Sequence, residues 1–477
     1  MKTIAIIGAG AAGLAAAVAA AEAARGAGAL AEVRVTVYEA SDRVGRSILA
    51  TGNGRCNFSN AVIDAGRYRN ASFVEEALGA CEATFEGGAS PGDDSLPPVD
   101  VRANAVLRFF AERGLVWREE GEGRLYPLAN KATSVLDCLR AACAAAGVRE
   151  LVESEVAAVE APRGEGDRFT LRLVERRLER ADAVIVAVGG AVGERLLPAG
   201  VPFCATAPTL GPIATDPRWP RQLDNIRVRG ALELWRGKRL VAREVGEVMF
   251  RKYGVSGIAA FNLSRLMEPG DQLAVDFVAA VPGEDAEAFL RARQTRLQGA
   301  LRRSITWEDL MRGMVLAPVA DVLLKACGLR GDAAVDEAGL TRLSPVLKGL
   351  RLPVTGLGDV RQCQVHRGGV KVTAVDARTC EVRGVPGLYV VGEALDVDAP
   401  CGGYNLHWAW ASGLLAGKSA VEGLAPSSGS ERGEGAPCSD SPRLVRQSAG
   451  LSQSLRNCAQ TPSSRSEPVG SRKRGRR

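Results

Sequence analysis

The sequence predicts an α/β fold whose nucleotide-binding half is split along the chain. Three observations carry that prediction. The first is Lys2-Thr-Ile-Ala-Ile-Ile-Gly8-Ala-Gly10-Ala-Ala12-Gly13, an apolar run, three spaced glycines and then an alanine-rich stretch. The second is Val33-Arg-Val-Thr-Val-Tyr-Glu39, a strand pattern ending in an acid. The third comes late: Gly387-Leu-Tyr-Val-Val-Gly392-Glu393 reads as a buried strand, and Cys401-Gly402-Gly403-Tyr404-Asn405-Leu406 then opens a helix.

The opening glycines suit a phosphate. Gly8 permits a tight turn, and Gly10 lets the backbone approach a pyrophosphate. Gly13 lets helix and strand pack closely, while the helix start offers free N–H groups and a positive dipole. An ordinary turn can carry the same spacing, so the context matters. Glu39 stands where a ribose hydroxyl would be held, 26 residues after Gly13. The usual interval is about 20, and a longer loop through Arg25-Gly-Ala-Gly28 takes up the surplus.

The remaining elements follow in order. Helices are expected at 72–81, 102–113 and 131–146, the second with apolar residues at helical spacing and a stop at Gly114. A mobile surface loop is expected at 86–98. Residues 148–190 read as strands. Phe169-Thr-Leu-Arg-Leu-Val alternates, as if one face were buried, and Ala181–Gly190 is continuously apolar, as in a strand covered on both faces. Residues 195–290 look β-rich and 283–330 mainly helical. Strands return from Val365, and a helix runs from near Gly403 to about Gly423. After Pro426, Ser, Pro, Gly, Arg and Gln predominate, and a disordered tail is expected. The resulting partition is 1–194, an insert at 195–355, a return at 356–424 and a basic tail at 425–477.

Composition excludes several classes. A chain of 477 residues with 46% hydrophobic and 24% charged residues is ordinary for a soluble globular protein. The net charge is +6, and the segment from Ala425 alone has ten Lys and Arg against four Asp and Glu. The excess therefore belongs to the tail. Its end, Ser471-Arg-Lys-Arg-Gly-Arg-Arg477, is the one feature suited to nucleic acid or another polyanion, and a solvated tail with no partner is the favoured reading. Residues 4–24 imitate a signal or membrane segment, but the glycine turn explains them better. A cytoplasmic location with no membrane association is expected. The 11 cysteines include no Cys-x-x-Cys pair, and the two histidines, His366 and His407, give no zinc pattern. No metal is expected.

The fingerprint alone leaves NAD and FAD open. No second Gly-x-Gly-x-x-Gly follows a strand, and Gly189-Gly-Ala-Val-Gly193 has the wrong spacing. The late strand end at Gly392-Glu393 could bond a ribityl chain, and the helix start after Gly402-Gly403 could face the flavin N1–C2=O edge. These favour FAD. Thr51-Gly-Asn-Gly54-Arg55-Cys56-Asn-Phe-Ser-Asn60 is a second polar constellation, suited to a pyrophosphate or flavin edge or, equally, to a solvated Asx turn.

That stretch resembles the Thr-Gly-x-Gly-Arg-Cys-Asn-x-Thr-Asn signature of the BaiN/YhiN-like flavoproteins, which include aminoacetone oxidases and a bile-acid dienone reductase. Gly123-Arg-Leu-Tyr-Pro127, Gly246-Glu-Val-Met-Phe with Tyr-Gly-Val-Ser-Gly257, and Gly387 to Asp398 with Gly402 to Leu406 resemble further family motifs in the same order. The resemblance implies a discontinuous Rossmann-like FAD-binding domain, with a β-barrel-like and helical substrate domain inserted. It implies FAD contacts at Gly8, Gly10, Ala12, Gly13, Glu39, Arg46, Gly54, Arg55, Cys56, Val156, Gly189, Gly392, Glu393, Gly402, Gly403, Tyr404, Asn405 and Leu406. Hydride would pass between flavin N5 and a small organic substrate, in C=C reduction or amine oxidation, with NAD(P)H left open as electron donor. The alternative is an FAD-binding interaction protein whose tail binds polyanions.

Departures from the family pattern concern the substrate more than the cofactor. A Ser-Thr-Gly-Asp-Gly loop is absent after Pro198, Ser47 replaces a usual Lys, and Val365-His-Arg-Gly-Gly-Val370 and Thr379-Cys-Glu-Val-Arg383 differ from the usual residues. His366 is the sharpest catalytic candidate, since an imidazole can move a proton near neutral pH, although a partly exposed strand histidine is the plainer reading. Tyr404 could offer its hydroxyl to substrate or flavin, or bury its ring. His407, Trp408 and Trp410 read as packing, and Cys56 and Cys401 as small buried thiols.

Overall fold

Unbroken runs of Ile, Val and Ala with little polar alternation make strands that need cover on both faces. The computed structural model describes residues 1–28, 32–85, 104–164, 166–281 and 285–425. In it, two such runs, Lys2–Ile7 and Ala183–Val186, lie in a five-stranded parallel sheet. The strand order is Leu388–Val390, Ala183–Val186, β1 (Lys2–Ile7), β2 (Val33–Tyr38) and Arg149–Leu151. Ile4 lies opposite both Ala183 and Val35, and Val184, opposite Ala5, also pairs with Leu388, which brings early, middle and late strands into one register.

The alanine content of α1 (Ala11–Gly26) has a packing cause. The helix is buried at every position from Ala12 to Ala21. The C-terminal helix Tyr404–Glu422 crosses it at close range through Gly413 and Gly417, where a Cβ would overlap the carbonyls of Ala12 and Ala16. Larger side chains on either helix would force them apart.

The expected helices are found at Ala71–Thr84, Ala105–Ala111 and Ala132–Ala145. The loop expected at 86–98 and the tail after Pro426 lie outside the described residues. The strand Phe169–Leu173 differs from its alternating pattern: Phe169, Thr170, Leu171 and Leu173 are buried and only Arg172 is exposed. It is the middle strand of a three-stranded sheet, flanked by Val156–Glu160 and Leu178–Ala181.

Between the halves, six strands close a barrel: Ile213–Thr215, Gly254–Ser256, Arg239–Arg251, Arg227–Arg236, Gln272–Asp276 and Leu350–Leu357. Helices Ala286–Leu301, Trp307–Met311, Ala317–Ala326 and Glu337–Lys348 share a second hydrophobic core with it, centred on Trp307, Leu323 and Leu343. The last helix lies beyond the helical stretch read from sequence. Pro345 masks its pattern, while Asp336 caps it by accepting the Gly339 amide. Outside the barrel, Phe203–Thr209 pairs antiparallel with Val365–Val370, and this two-stranded ribbon sets Pro208 opposite His366. No helix among the described residues is long and apolar enough to cross a membrane.

Candidate functional site

The turn after β1 is shaped by what its glycines lack. Gly8 has φ +99°, and a Cβ there would lie 2.6 Å from the Ala187 carbonyl oxygen. At Gly13 a Cβ would overlap the Gly8 carbonyl oxygen, so this residue closes helix against strand and does not line the cavity. Gly10 is the N-cap of α1 and supplies no side-chain cap, which leaves first-turn N–H groups without a side-chain partner. Glu39 directly follows β2, with its carboxylate held in place. Its Oε2 accepts the Ala9 amide at 2.8 Å, and Oε1 accepts the Ser41 amide at 2.9 Å and the Ser41 hydroxyl at 2.6 Å. Each oxygen can accept more than one bond, so Oε2 keeps capacity for a further donor.

These residues open on a cavity of about 1000 Å³, at the upper end of the roughly 300–1,000 Å³ of small-ligand sites. Ala12 lines it beside Gly8 and Gly10. Arg46, the first residue of α2 (Arg46–Ala50), lines it too, and the preceding Gly45 amide donates to Ala9 O at 2.8 Å.

A second helix N-terminus opens on the same cavity. Gly403 caps Tyr404–Glu422 with φ +95° and no side-chain cap, and a Cβ there would overlap the Ser59 carbonyl oxygen. Gly402, Asn405 and Leu406 line the cavity with it. Asn405 clamps the preceding loop by accepting the Ala399 amide at 2.9 Å and donating to Ala399 O at 2.8 Å. Tyr404 does not line the cavity. Its ring packs edge-on to Tyr68 at 6.0 Å, with Arg67 over it, so the burial reading replaces a hydroxyl aimed at substrate.

Gly189, Gly392 and Glu393 form a further wall. Gly392 is fixed by the Ser412 hydroxyl, which accepts its amide at 2.9 Å, and by Trp408 Nε1, which donates to its carbonyl at 3.0 Å. Glu393 Oε1 accepts both the His366 amide at 2.7 Å and a hydrogen bond from His366 Nδ1 at 3.0 Å. The hydrogen bond to Glu393 raises the His366 pKa above the usual 6.5, outweighing partial burial. His366 Nε2 has no hydrogen-bond partner among the described residues. Gly190 makes room for this pair, since a Cβ there would overlap both side chains.

The Thr51–Asn60 stretch winds through left-handed conformations at Gly52, Asn53, Gly54 and Cys56. Arg55 lines the cavity, but its charge is already engaged. It pairs with Glu120, donates to Asn130 Oδ1 at 2.6 Å and lies 4.2 Å over the Tyr126 ring. Gly54, Cys56 and Val156 are outside the lining. Cys56 is fully buried, and burial pushes its thiol up to about 12. Val156 is the first residue of its strand and packs in the core. His407 is also buried, beside the Ser59 hydroxyl at 2.9 Å, and burial pushes its pKa down to about 3. Residues that sequence reasoning missed complete the walls: Glu120, Arg124, Tyr126, Leu210, Ile258, Phe261 and Gln364. The Gly123–Pro127 motif was the only local signal for any of them.

Two glycine-capped helix starts, a carboxylate at the second strand and one cavity lined by all three fit a bound dinucleotide flavin. The N-terminus of α1 suits the pyrophosphate and that of the C-terminal helix an electron-rich ring edge. This is the architecture of a Rossmann-type flavoprotein oxidoreductase. The family described as HI0933-like protein Rossmann domain matches residues 100–419, and the chain belongs to that family. It is 30% identical over 448 residues to the 3-dehydro-bile acid delta(4,6)-reductase of Clostridium scindens, covering 88% of this chain and all of that protein. It is 29% identical to the ribosomal RNA dihydrouridine synthase of Escherichia coli, covering 85% of this chain and 95% of that one. Among solved structures, a 3-ketosteroid-delta4-(5alpha)-dehydrogenase from Rhodococcus jostii RHA1 aligns with a TM-score of 0.40 and 15% identity, over 88% of this chain and 97% of that chain.

Proposed function

We propose that this chain is an FAD-dependent reductase that saturates a carbon–carbon double bond conjugated to a carbonyl group. The observation that carries the reading is the His366–Glu393 pair, which shares one cavity with the glycine turn and the second helix start. Saturation needs a hydride and a proton. FAD bound in the cavity supplies two-electron hydride chemistry at its N5. The chain's own part is to hold the flavin, to exclude water with Leu210, Ile258 and Phe261, and to deliver the proton. His366 is the proton donor in this reading, and Glu393 keeps its imidazole charged and oriented.

Two curated relatives favour C=C reduction over amine oxidation. The names of both, a delta(4,6)-reductase and a dihydrouridine synthase, denote a saturated double bond. The electron donor proposed is NADH or NADPH, acting on the flavin without a binding fingerprint of its own. The test begins with purified protein, whose released cofactor should be FAD by chromatography. Anaerobic NADH or NADPH should bleach the flavin, and a conjugated ketone should restore it while gaining two hydrogens by mass. Colourless, folded protein that takes up no FAD would sink the reading.

A further inference from the structure

Three guanidinium groups line the cavity: Arg46, Arg55 and Arg124. Arg46 belongs to the glycine-turn end, and Arg55 is occupied by Glu120, Asn130 and Tyr126. Arg124 is different. Its Nε donates to Gly121 O at 2.9 Å, and its nearest carboxylate is that of Glu122, 3.4 Å away. Glu122 is 74% exposed while Arg124 is 23% exposed, so water screens that pair and leaves most of the guanidinium fork uncommitted. Glu120 does not compete for it, because Arg55 and Arg118 already hold that carboxylate.

Beyond Arg124 lies the loop that opens the C-terminal helix, with Glu244 also near Cys401. Asn60 Nδ2 bridges Glu122 O at 3.0 Å and Gly402 O at 2.9 Å, tying the turn before Arg124 to the loop that opens the C-terminal helix. Cys401 in that loop donates its amide to Asn262 Oδ1 at 2.9 Å. Asn262 lies on the helix Ile258–Ser264, whose Ile258 and Phe261, one turn apart, line the same cavity. Ile258 is 45% exposed, so part of its side chain is open to a ligand. A cation with spare donors thus shares the end of the cavity around Cys401 with an uncovered apolar face.

We propose that Arg124 binds an oxyanion, a carboxylate or phosphate, on a substrate whose flat apolar body rests on Ile258 and Phe261. This inference rests on the reductase reading of the cavity, but its test needs no turnover. The oxidised, FAD-loaded protein is titrated with trans-cinnamate and with trans-cinnamamide, and binding is followed by the flavin absorption spectrum. Cinnamate should bind about tenfold or more tightly than the amide, the effect of a charge-assisted fork contact. Added salt should weaken cinnamate and leave cinnamamide unchanged. Arg124→Met should erase the preference and keep the cinnamamide affinity, FAD content and flavin potential, and Arg124→Lys should restore part of the preference. Equal affinity for acid and amide in the wild type overturns the proposal, as does a preference that survives Arg124→Met. Loss of FAD or a shifted potential in both variants, with the preference intact, also overturns it and assigns Arg124 to the cofactor. A protein that binds cinnamate as expected yet reduces no enone contradicts the reductase reading alone.

Discussion

Glu393 Oε1 accepts the amide of His366 at 2.7 Å and a hydrogen bond from its Nδ1 at 3.0 Å, so one carboxylate oxygen fixes both the backbone and the imidazole. The ring is thereby held with Nδ1 protonated and Nε2 unpaired. The pKa is raised by that hydrogen bond, which keeps more imidazolium present at neutral pH than a free histidine would have.

The proton-donor role proposed for His366 sets a pH profile. Reoxidation of reduced flavin by a conjugated ketone should be fast at low pH and should decline as pH rises through the raised His366 pKa, which lies above 6.5. Replacing Glu393 by Gln removes the charge that raises it, so the decline should move to lower pH. His366→Gln should lower the rate by roughly 10²–10⁴-fold, the range for general acid catalysis. Stopped-flow reoxidation across pH measures all three proteins, and an unaltered profile in His366→Gln excludes it as the donor.

Gly10 and Gly13 should fail differently. A Cβ at Gly10 meets only the Ser47 hydroxyl, at 3.0 Å, so Gly10→Val should fold but lose FAD because the side chain occupies the approach to α1. A Cβ at Gly13 overlaps the Gly8 carbonyl, and Gly13→Ala should cost about 1–3 kcal/mol of stability through overpacking. FAD content and urea unfolding of both variants separate the two roles. Full flavin occupancy in Gly10→Val contradicts the placement.

His407 should act as an acid-sensitive core residue. Burial holds it neutral, with a pKa near 3 against the usual 6.5. The unfolded chain therefore binds the extra proton first. The contribution is fully present above pH 6.5 and is lost as pH falls from 6.5 toward 3, by at most about 1.4 kcal/mol per pH unit. His407→Gln should be less stable at pH 7 yet show a shallower loss between pH 7 and 5. Equal slopes in urea melts of the two proteins would place the acid sensitivity elsewhere.

Cys56 should be inert. Its thiol is fully buried and pushed up to about 12, so little thiolate exists at pH 8. Iodoacetamide should leave Cys56 unlabelled in the native protein by peptide mass mapping, and Cys56→Ala should retain FAD. Rapid native labelling at Cys56 would argue for an open site there.

The parts of the site legible in the sequence are those that depend on local backbone geometry. Gly8, Gly13, Gly402 and Gly403 announce themselves because turns and close helix approaches tolerate no Cβ, and Gly10 through its spacing between Gly8 and Gly13. Glu39 is readable from the strand it follows. Arg55 shows the limit of such reading. Its charge is plain, but its partners Glu120 and Asn130 lie 65 and 75 residues away, so its engagement appears only in the fold. Leu210, Ile258 and Phe261 carry no local mark, because an apolar wall residue is chosen by tertiary packing. Gly190 looks like part of a degenerate fingerprint, and its reason is steric room for His366 and Glu393. Barrel closure was readable only through the family resemblance, since antiparallel strands show their alternation but not their pairing order.

The central claim is C=C reduction on a flavin held between the two glycine-capped helix starts. Two anaerobic half-reactions test it most directly on one preparation of FAD-loaded protein. Photoreduced protein mixed with a conjugated steroid dienone should recover the oxidised flavin spectrum and yield a product heavier by two hydrogens, while oxidised protein mixed with aminoacetone should stay oxidised. Flavin bleached by aminoacetone and left reduced by the dienone would contradict the account and return the cavity to amine oxidation.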